Sequence, residues 1–240
     1  MALPVNNTPI YTLTIPSTKQ TVKFRPFRVK QEKALLIAQQ SEDVHVMMDT
    51  LKAVISDCVI DKVDTDNMPS FDAEYIFAQI RAKSVGEIVE LFFLCNDDHG
   101  ADNDKAKVKI AFDLTKLEVF MPEGHVKTIP LFDDVGVIMK YPTLDVIKRI
   151  HEMDENDIDT MIDITTDCIE SIYTTDEVFL GSETPKQELI QFLDNLESSQ
   201  FSLVQNFFNT MPRIKQEVNY NCPICDKAYH TTLEGINSFF

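Results

Sequence analysis

Cysteine and histidine are the side chains here best suited to hold a metal, and their spacing sorts them. Cys222-Pro-Ile-Cys225 is a C-x-x-C pair, which on a tight turn aims two thiolates at one ion. A tetrahedral zinc site needs four nitrogen or sulfur ligands, so two more must come from elsewhere. Cys95 and His99 form a C-x3-H pair, and Cys95, His99, Cys222 and Cys225 together make a candidate structural zinc set joining distant segments. Beyond Cys225, His230 stands in reserve as the fourth ligand. Two free thiols on a surface turn, or a zinc ribbon that has lost its metal, are the competing readings. A redox role would want the pair opening a helix within a βαβ unit, and its place near the C-terminus argues against that. Cys58 and Cys168 fall on apolar stripes and read as buried hydrophobes. Five cysteines is an odd count with no stapled-scaffold spacing, so thiols rather than disulfides are expected.

Other chemistry is sparse. With six glycines there is neither G-x-G-x-x-G nor G-x-x-x-x-G-K-S/T to cradle phosphate, and G-x-S-x-G and H-E-x-x-H are also missing. His45, His125 and His151 stand alone. The run from Asp154 to Asp159 invites a calcium loop, but Ile158 sits where an oxygen ligand belongs and the glycine is lacking. No catalytic residue is assigned, and the chain is expected not to be an enzyme.

Charge limits the partners. Twenty-two basic against thirty-nine acidic residues leave a net charge of −17, which repels phosphate backbones. Around the C-x-x-C pair, Lys215 and Lys227 face Glu217, Asp226 and Glu234, so a nucleic-acid module there lacks its basic surface. The distribution is uneven, however: residues 1–40 carry six bases against Glu32. Lys23, Arg25, Arg28 and Lys30, beside Phe24 and Phe27, are candidates for docking an acidic surface of another protein. The alternative is that both phenylalanines pack into this chain's own core and the bases decorate it. Residues 151–200 hold fourteen carboxylates against Lys186, either a solvated helix face or a surface for a basic partner.

The elements that must position these residues follow from periodicity. Tyr11, Leu13 and Ile15, then Thr21 to Phe27, read as two short strands around Pro16-Ser17-Thr18. Val44, Met47, Met48, Leu51, Val54, Ile55 and Cys58 form one helical stripe, and a further helix covers Phe71 to Lys83. Period two over Glu87 to Cys95, answered from Ala106 to Leu114, predicts a hairpin whose polar loop holds His99. From Pro142 on the pattern is helical: Leu144, Ile147, Ile150 and Met153 make one stripe, and Ile158, Met161, Ile162, Cys168, Ile169 and Ile172 another. Thr184-Pro185-Lys186-Gln187 is read as a helix start with Thr184 as N-cap and Gln187 at the capping-box position, and a last helix covers Ser199 to Met211. The expected fold is α+β, mainly helical, with short antiparallel hairpins and a zinc-ribbon-like cysteine element. One domain is expected over residues 1–240: strand-rich at 1–30 and 87–115, helical at 28–84 and 142–211, with the cysteine-pair element at 216–240. A hydrophobic fraction of 44% excludes a disordered chain, and no apolar run approaches the ~20 residues that span a bilayer. The opening MALPVNNTPIYTL has no basic residue before an apolar stretch, so a secretory signal is not expected.

The run from Pro16 to Leu36, PSTKQTVKFRPFRVKQEKALL, resembles the N-terminal signature of baseplate hub and hub-assembly proteins of T-even, T-four-like contractile-tailed phages. The likeness continues in Phe71-Asp72, in Ile80-Arg-Ala-Lys-Ser-Val-Gly-Glu87, and in the final C-x-x-C followed by Leu233-Glu-Gly-Ile-Asn-Ser-Phe-Phe240. It departs where the first metal-type pair of that family usually reads C-x-x-C and here reads Cys95…His99. The resemblance implies a non-enzymatic protein that builds or belongs to the central hub of a tail baseplate. Its partners would be other hub and tail proteins, not nucleic acid or membrane, and it would act in the host cytoplasm during assembly or in the virion tail. A zinc-ribbon chaperone for another tail protein is the nearest alternative, and an enzyme with an unrecognised site is the more distant one.

Overall fold

The computed structural model describes residues 8–152 and 158–235. Tyr11–Thr14 (β1) pairs antiparallel with Thr21–Phe24 (β2), and period two turns Leu13, Val22 and Phe24 inward. Asp72 pins the turn between them, accepting hydrogen bonds from the Ser17 N–H at 3.0 Å and from the Ser17 hydroxyl. Burial pushes this carboxyl up, against the pull of the two Ser17 hydrogen bonds.

Three helices follow: Val29–Ser41 (α1), Val44–Cys58 (α2) and Ser70–Ser84 (α3). The α2 stripe is buried as its spacing requires, from Met48 through Leu51, Val54 and Ile55 to Cys58. Asp43 caps it, accepting from the His45 N–H at 2.8 Å. Helix α3 is buried almost all round, with Ile76, Ala78 and Ile80 fully enclosed, and carries the first apolar cluster. Helix α1 is the exception, burying only Gln31 and Ala38.

Ile88–Phe93 (β3) and Val108–Asp113 (β4) form the predicted hairpin, in register from Ile88 opposite Asp113 to Phe93 opposite Val108. Its connection holds a 3-10 turn at Gly100–Ala106 where the sequence suggested plain loop. Three strands then occupy a stretch with no sequence assignment: Val119–Phe120 (β5), Thr128–Phe132 (β6) and Val135–Met139 (β7). Helices Leu144–Glu152 (α4) and Ile158–Asp167 (α5) precede strands Ile169–Tyr173 (β8) and Val178–Leu180 (β9). Lys186–Asp194 (α6), Ser198–Thr210 (α7), Arg213–Asn221 (β10) and Ala228–Glu234 (β11) complete the order. The architecture is α+β, with seven helices and eleven strands among the described residues.

Several expectations need correction. The region 142–211 is not wholly helical, because β8 and β9 complete an antiparallel sheet of order β6-β7-β8-β9. Ile169 and Ile172 therefore do not continue the α5 stripe. Helix α5 ends at Asp167, and the β-branched and aromatic run that follows pairs with β7 instead. Cys168, between the two elements, is still fully buried. Thr184 does not cap α6. Its hydroxyl donates to the Leu180 carbonyl at 2.9 Å, and Pro185 occupies the N-cap position. Met153 and most of the rejected calcium run lie outside the described residues.

The second apolar cluster fills the space between the four-stranded sheet and α6 and α7, with Val137, Met139, Ile169, Leu193 and Val204 at its centre. Tyr141 links it to α3, meeting Phe71 edge-on at 5.0 Å and stacking on Phe207 at 5.5 Å. His125 completes the pile, with Nδ1 3.0 Å from Thr210 Oγ1 and Nε2 3.1 Å from the Tyr141 hydroxyl. The Thr210 hydroxyl itself donates to the Asn206 carbonyl at 2.8 Å, so Nδ1 carries the proton and Nε2 accepts from Tyr141.

Gly136 is where β7 meets its neighbours most closely: a Cβ there would collide with the Tyr173 ring and come within 2.6 Å of the Ile129 carbonyl. Gly136→Ala is expected to destabilise the fold by about 2 kcal/mol through overpacking. Adding Tyr173→Ala should leave the backbone clash unrelieved and not restore stability. Thermal unfolding followed by circular dichroism checks this, and an unchanged midpoint for Gly136→Ala would contradict the packing described.

Candidate metal centre

The tips of two hairpins meet at the far end of β3 and β10. Strand β3 runs into Cys95, and His99 follows in the connection to β4. Cys222 and Cys225 lie in the turn between β10 and β11, whose register runs from Lys215 opposite Glu234 to Asn221 opposite Ala228. The turn closes tightly: the Cys222 N–H donates to the Lys227 carbonyl and the Asp226 N–H to the Cys222 carbonyl, both at 2.9 Å. Asp226 takes a left-handed φ of 57°, a conformation short polar side chains tolerate.

The four predicted ligands converge. Their ligand atoms all lie within 4.8 Å of one another, so the group could hold a metal ion. Cys95 Sγ is 3.8 Å from Cys225 Sγ, and Cys222 Sγ is 3.4 Å from His99 Nε2. A tetrahedral ion with sulfur at 2.3 Å and nitrogen near 2.05 Å requires edges of about 3.8 Å and about 3.5 Å, which these distances match. A disulfide needs ~2.05 Å, and all five cysteines are free thiols. His230 is not part of the group: its Nδ1 lies 2.8 Å from the Asn219 side chain across the hairpin, and it drops out as the reserve ligand.

Surrounding donors favour thiolates. The Asp97 N–H points at Cys95 Sγ and the Ile224 N–H at Cys222 Sγ, each at 3.4 Å and each two residues beyond its cysteine. The Asn96 N–H donates to the Tyr229 hydroxyl at 3.1 Å, leaving that O–H to donate to Cys95 Sγ at 3.0 Å. Desolvation works to raise the Cys95 thiol, but Tyr229, the Asp97 N–H and His99 outweigh it and bring the pKa down to about 6. Cys222 is likewise held low against desolvation by the backbone N–H groups of Cys225 and Ile224. The hydrogen bond to Cys95 raises His99. At Cys225 the Lys227 N–H pulls down, while desolvation and the neighbouring Cys222 and Cys95 sulfurs move the thiol up overall. Three sulfurs this close resist carrying three negative charges unless a cation lies among them.

Sequence reasoning missed the supports. Tyr220 and Tyr229 are opposite each other across the hairpin and stack at 5.2 Å. Tyr220 also packs on Phe93 and donates to the Leu94 carbonyl at 3.0 Å, binding one hairpin to the other. Lys227 reaches Asp97 at 2.8 Å beside the cluster. The available signal was one tyrosine on each side of the C-x-x-C turn, Tyr220 two residues before Cys222 and Tyr229 four after Cys225.

The basic segment is divided by the fold. Phe24 is 2% exposed and belongs to the core, so it is no docking anchor, and Phe27 packs partly against that core. Arg25 is half-buried and donates from Nη2 to the Asp57 carbonyl at 2.6 Å. Lys23, Arg28 and Lys30 are exposed.

What these elements define is an α+β protein whose two hairpins are joined at their tips by a Cys3His group. Residues 8–240 match the family model described as T4 bacteriophage base plate protein, and the chain belongs to that family. Neither the curated proteins nor the solved structures compared with it gave a match. Membership points to a structural place among tail proteins rather than to catalysis. No helix among the described residues is long and apolar enough to cross a membrane.

Metal retention against a competing chelator, read by element analysis, separates the ligands from their neighbours. Cys95→Ser and His99→Ala should abolish retention, and His230→Ala should leave it unchanged. Tyr229→Phe should weaken it by about 10–100-fold, the usual cost of losing a supporting hydrogen bond.

Proposed function

We propose that this chain is a non-enzymatic component or assembly factor of the central hub of a contractile-tailed phage baseplate, shaped by one structural zinc. The observation that carries this reading is the convergence of Cys95, His99, Cys222 and Cys225, in a chain of the base plate family, with all four ligand atoms within 4.8 Å of one another and one S–S and one S–N separation that suit a tetrahedral ion. Zinc suits three thiolates and an imidazole, and four protein ligands leave no open position for a reacting water. The ion closes a loop of 130 residues between Cys95 and Cys225, so its binding energy goes to folding. In this reading the two hairpins form a zinc-ribbon-like element, and the chain works as one domain over residues 1–240. The Tyr141 pile and the contacts of α4 with α2, α3 and α5 support that unity.

The exposed bases Lys23, Arg28 and Lys30, with the partly committed Arg25, dock on acidic surfaces of other hub and tail proteins. The net charge of −17 favours protein partners over nucleic acid. The chain acts in the host cytoplasm while the baseplate is built.

Protein analysis of purified virions beside baseplate intermediates from infected cells tests the role. Presence in the particle makes it a hub component, and presence only in the intermediates makes it an assembly factor. Absence from both would overturn the proposal. For the metal, protein purified without chelator should carry one zinc per chain. Its removal, or Cys222→Ser, should lower the unfolding midpoint by several degrees, and an unchanged midpoint would end the structural role.

A further inference from the structure

Helix α1 leaves most of its apolar surface outside the core. Val29, Leu36 and Ile37 are 76%, 54% and 55% exposed, and Val85 at the end of α3 is 60% exposed. Such a concentration on one side of a protein needs a cover. Between α1 and the α2–α3 pair runs a groove of about 310 Å³. On α1 its lining is Glu32, Leu35, Leu36 and Gln39, the i, i+3, i+4 and i+7 positions of one face. Met47 and Met48 supply adaptable walls from α2, and Phe77, Arg81 and Val85 come from α3. The lined stretch of α1 spans about 10 Å, roughly two helical turns.

The groove is electrically directional. At the α1 start, Arg28 lies one turn before Glu32 on the same row and Arg81 lines the wall, while Lys30 and Lys33 are exposed on other faces of the helix and add only to the field around that end. At the other end the turn from α1 to α2 carries Glu42 and Asp43. In a chain of net charge −17, this is the place where an acidic partner gains rather than loses by approach.

We propose that this groove receives two turns of an amphipathic helix from another baseplate polypeptide. The helix has apolar residues at i, i+3/i+4 and i+7 and carboxylates at the end that lies over Arg28 and Arg81. This rests on the baseplate reading above and names the partner chemistry that the basic segment serves. It also gives the exposed face of α1 a purpose separate from the metal centre.

An array of overlapping 18-residue peptides covering the other baseplate polypeptides of the encoding phage, probed with the full chain, tests it. The expected result is that the bound peptides are acidic and amphipathic. In solution Leu36→Asp and, separately, Arg28→Glu should weaken their binding at least tenfold, and salt should weaken the wild-type complex. Both side chains are exposed, so the unfolding midpoint of each variant should stay at the wild-type value. Binding of no peptide, binding of basic peptides, or binding indifferent to Leu36→Asp would overturn the inference. So would a concentration-dependent dimer that Leu36→Asp dissolves, since the groove would then serve a second copy. If the chain is found in tails while no peptide binds, the groove assignment falls and the baseplate reading stands. If acidic peptides bind while the chain is absent from tail assemblies, the reverse holds.

Discussion

Enclosure of α3 is the constraint on which the rest of the structure depends. A helix buried on nearly every side has to be covered from several directions, and each cover fixes an element. Asp72 holds the β1–β2 turn, and the Ser70 N–H donates to the Pro142 carbonyl at 2.9 Å, setting the approach to α4. Gln79, itself buried, donates to the Leu114 carbonyl at 3.0 Å and so anchors the end of β4. Ile214 and Val218 of β10 join the same cluster. Both hairpins are thus rooted on one helix and project their far ends together. The cysteines meet because of where their strands begin.

How much of this was legible in the sequence depended on whether the signal was local. The α2 stripe and the β3–β4 alternation each repeat over more than ten residues or across two strands, and both were readable. So was the Cys and His group that the fold brings together, since C-x-x-C and C-x3-H are visible in the sequence and the predicted hairpin put one pair at a tip. Strand β8 was hidden because Ile169 and Ile172 stand three apart, a spacing that a helix face also produces and that only pairing with β7 decides. Strands β6 and β7 carry Pro130 and Gly136, which weaken a strand signal, although Gly136 is required there by the closeness of the Ile129 carbonyl. At α6 the Thr184 hydroxyl donates back to the Leu180 carbonyl instead of accepting from the helix N–H groups ahead of it.

Charge took a different course from its sequence appearance. The acid-rich stretch 151–200 reads as a solvated face, yet Asp163 and Asp167 both turn to Arg149 and to Lys186, the latter at 2.7 and 2.9 Å. Those half-exposed pairs tie α4, α5 and α6 together, and as a network they contribute more register than energy. In the basic segment, Arg25 is likewise turned inward to the end of α2. The other bases of the segment face solvent, Lys19 and Lys23 on the β1–β2 hairpin and Arg28, Lys30 and Lys33 at the start of α1.

The Cys3His group and the aromatic seam meet one problem between them. A two-stranded hairpin is marginal in water, and the β3–β4 tip leaves the core with Phe92 and Leu94 exposed. Tyr220 stacks against Phe93 and Tyr229, giving the two ribbons a shared apolar seam, but stacking is worth only about 0.5–1.5 kcal/mol per pair and fixes no fourfold geometry. A metal held by the four Cys and His side chains, as proposed above, would add the link across 130 residues that stacking lacks. Tyr229 belongs to both devices, with its ring in the seam and its hydroxyl on the Cys95 sulfur. Loosening the seam therefore misplaces the hydroxyl that meets the Cys95 sulfur, so the positions of the two hairpin tips depend on each other.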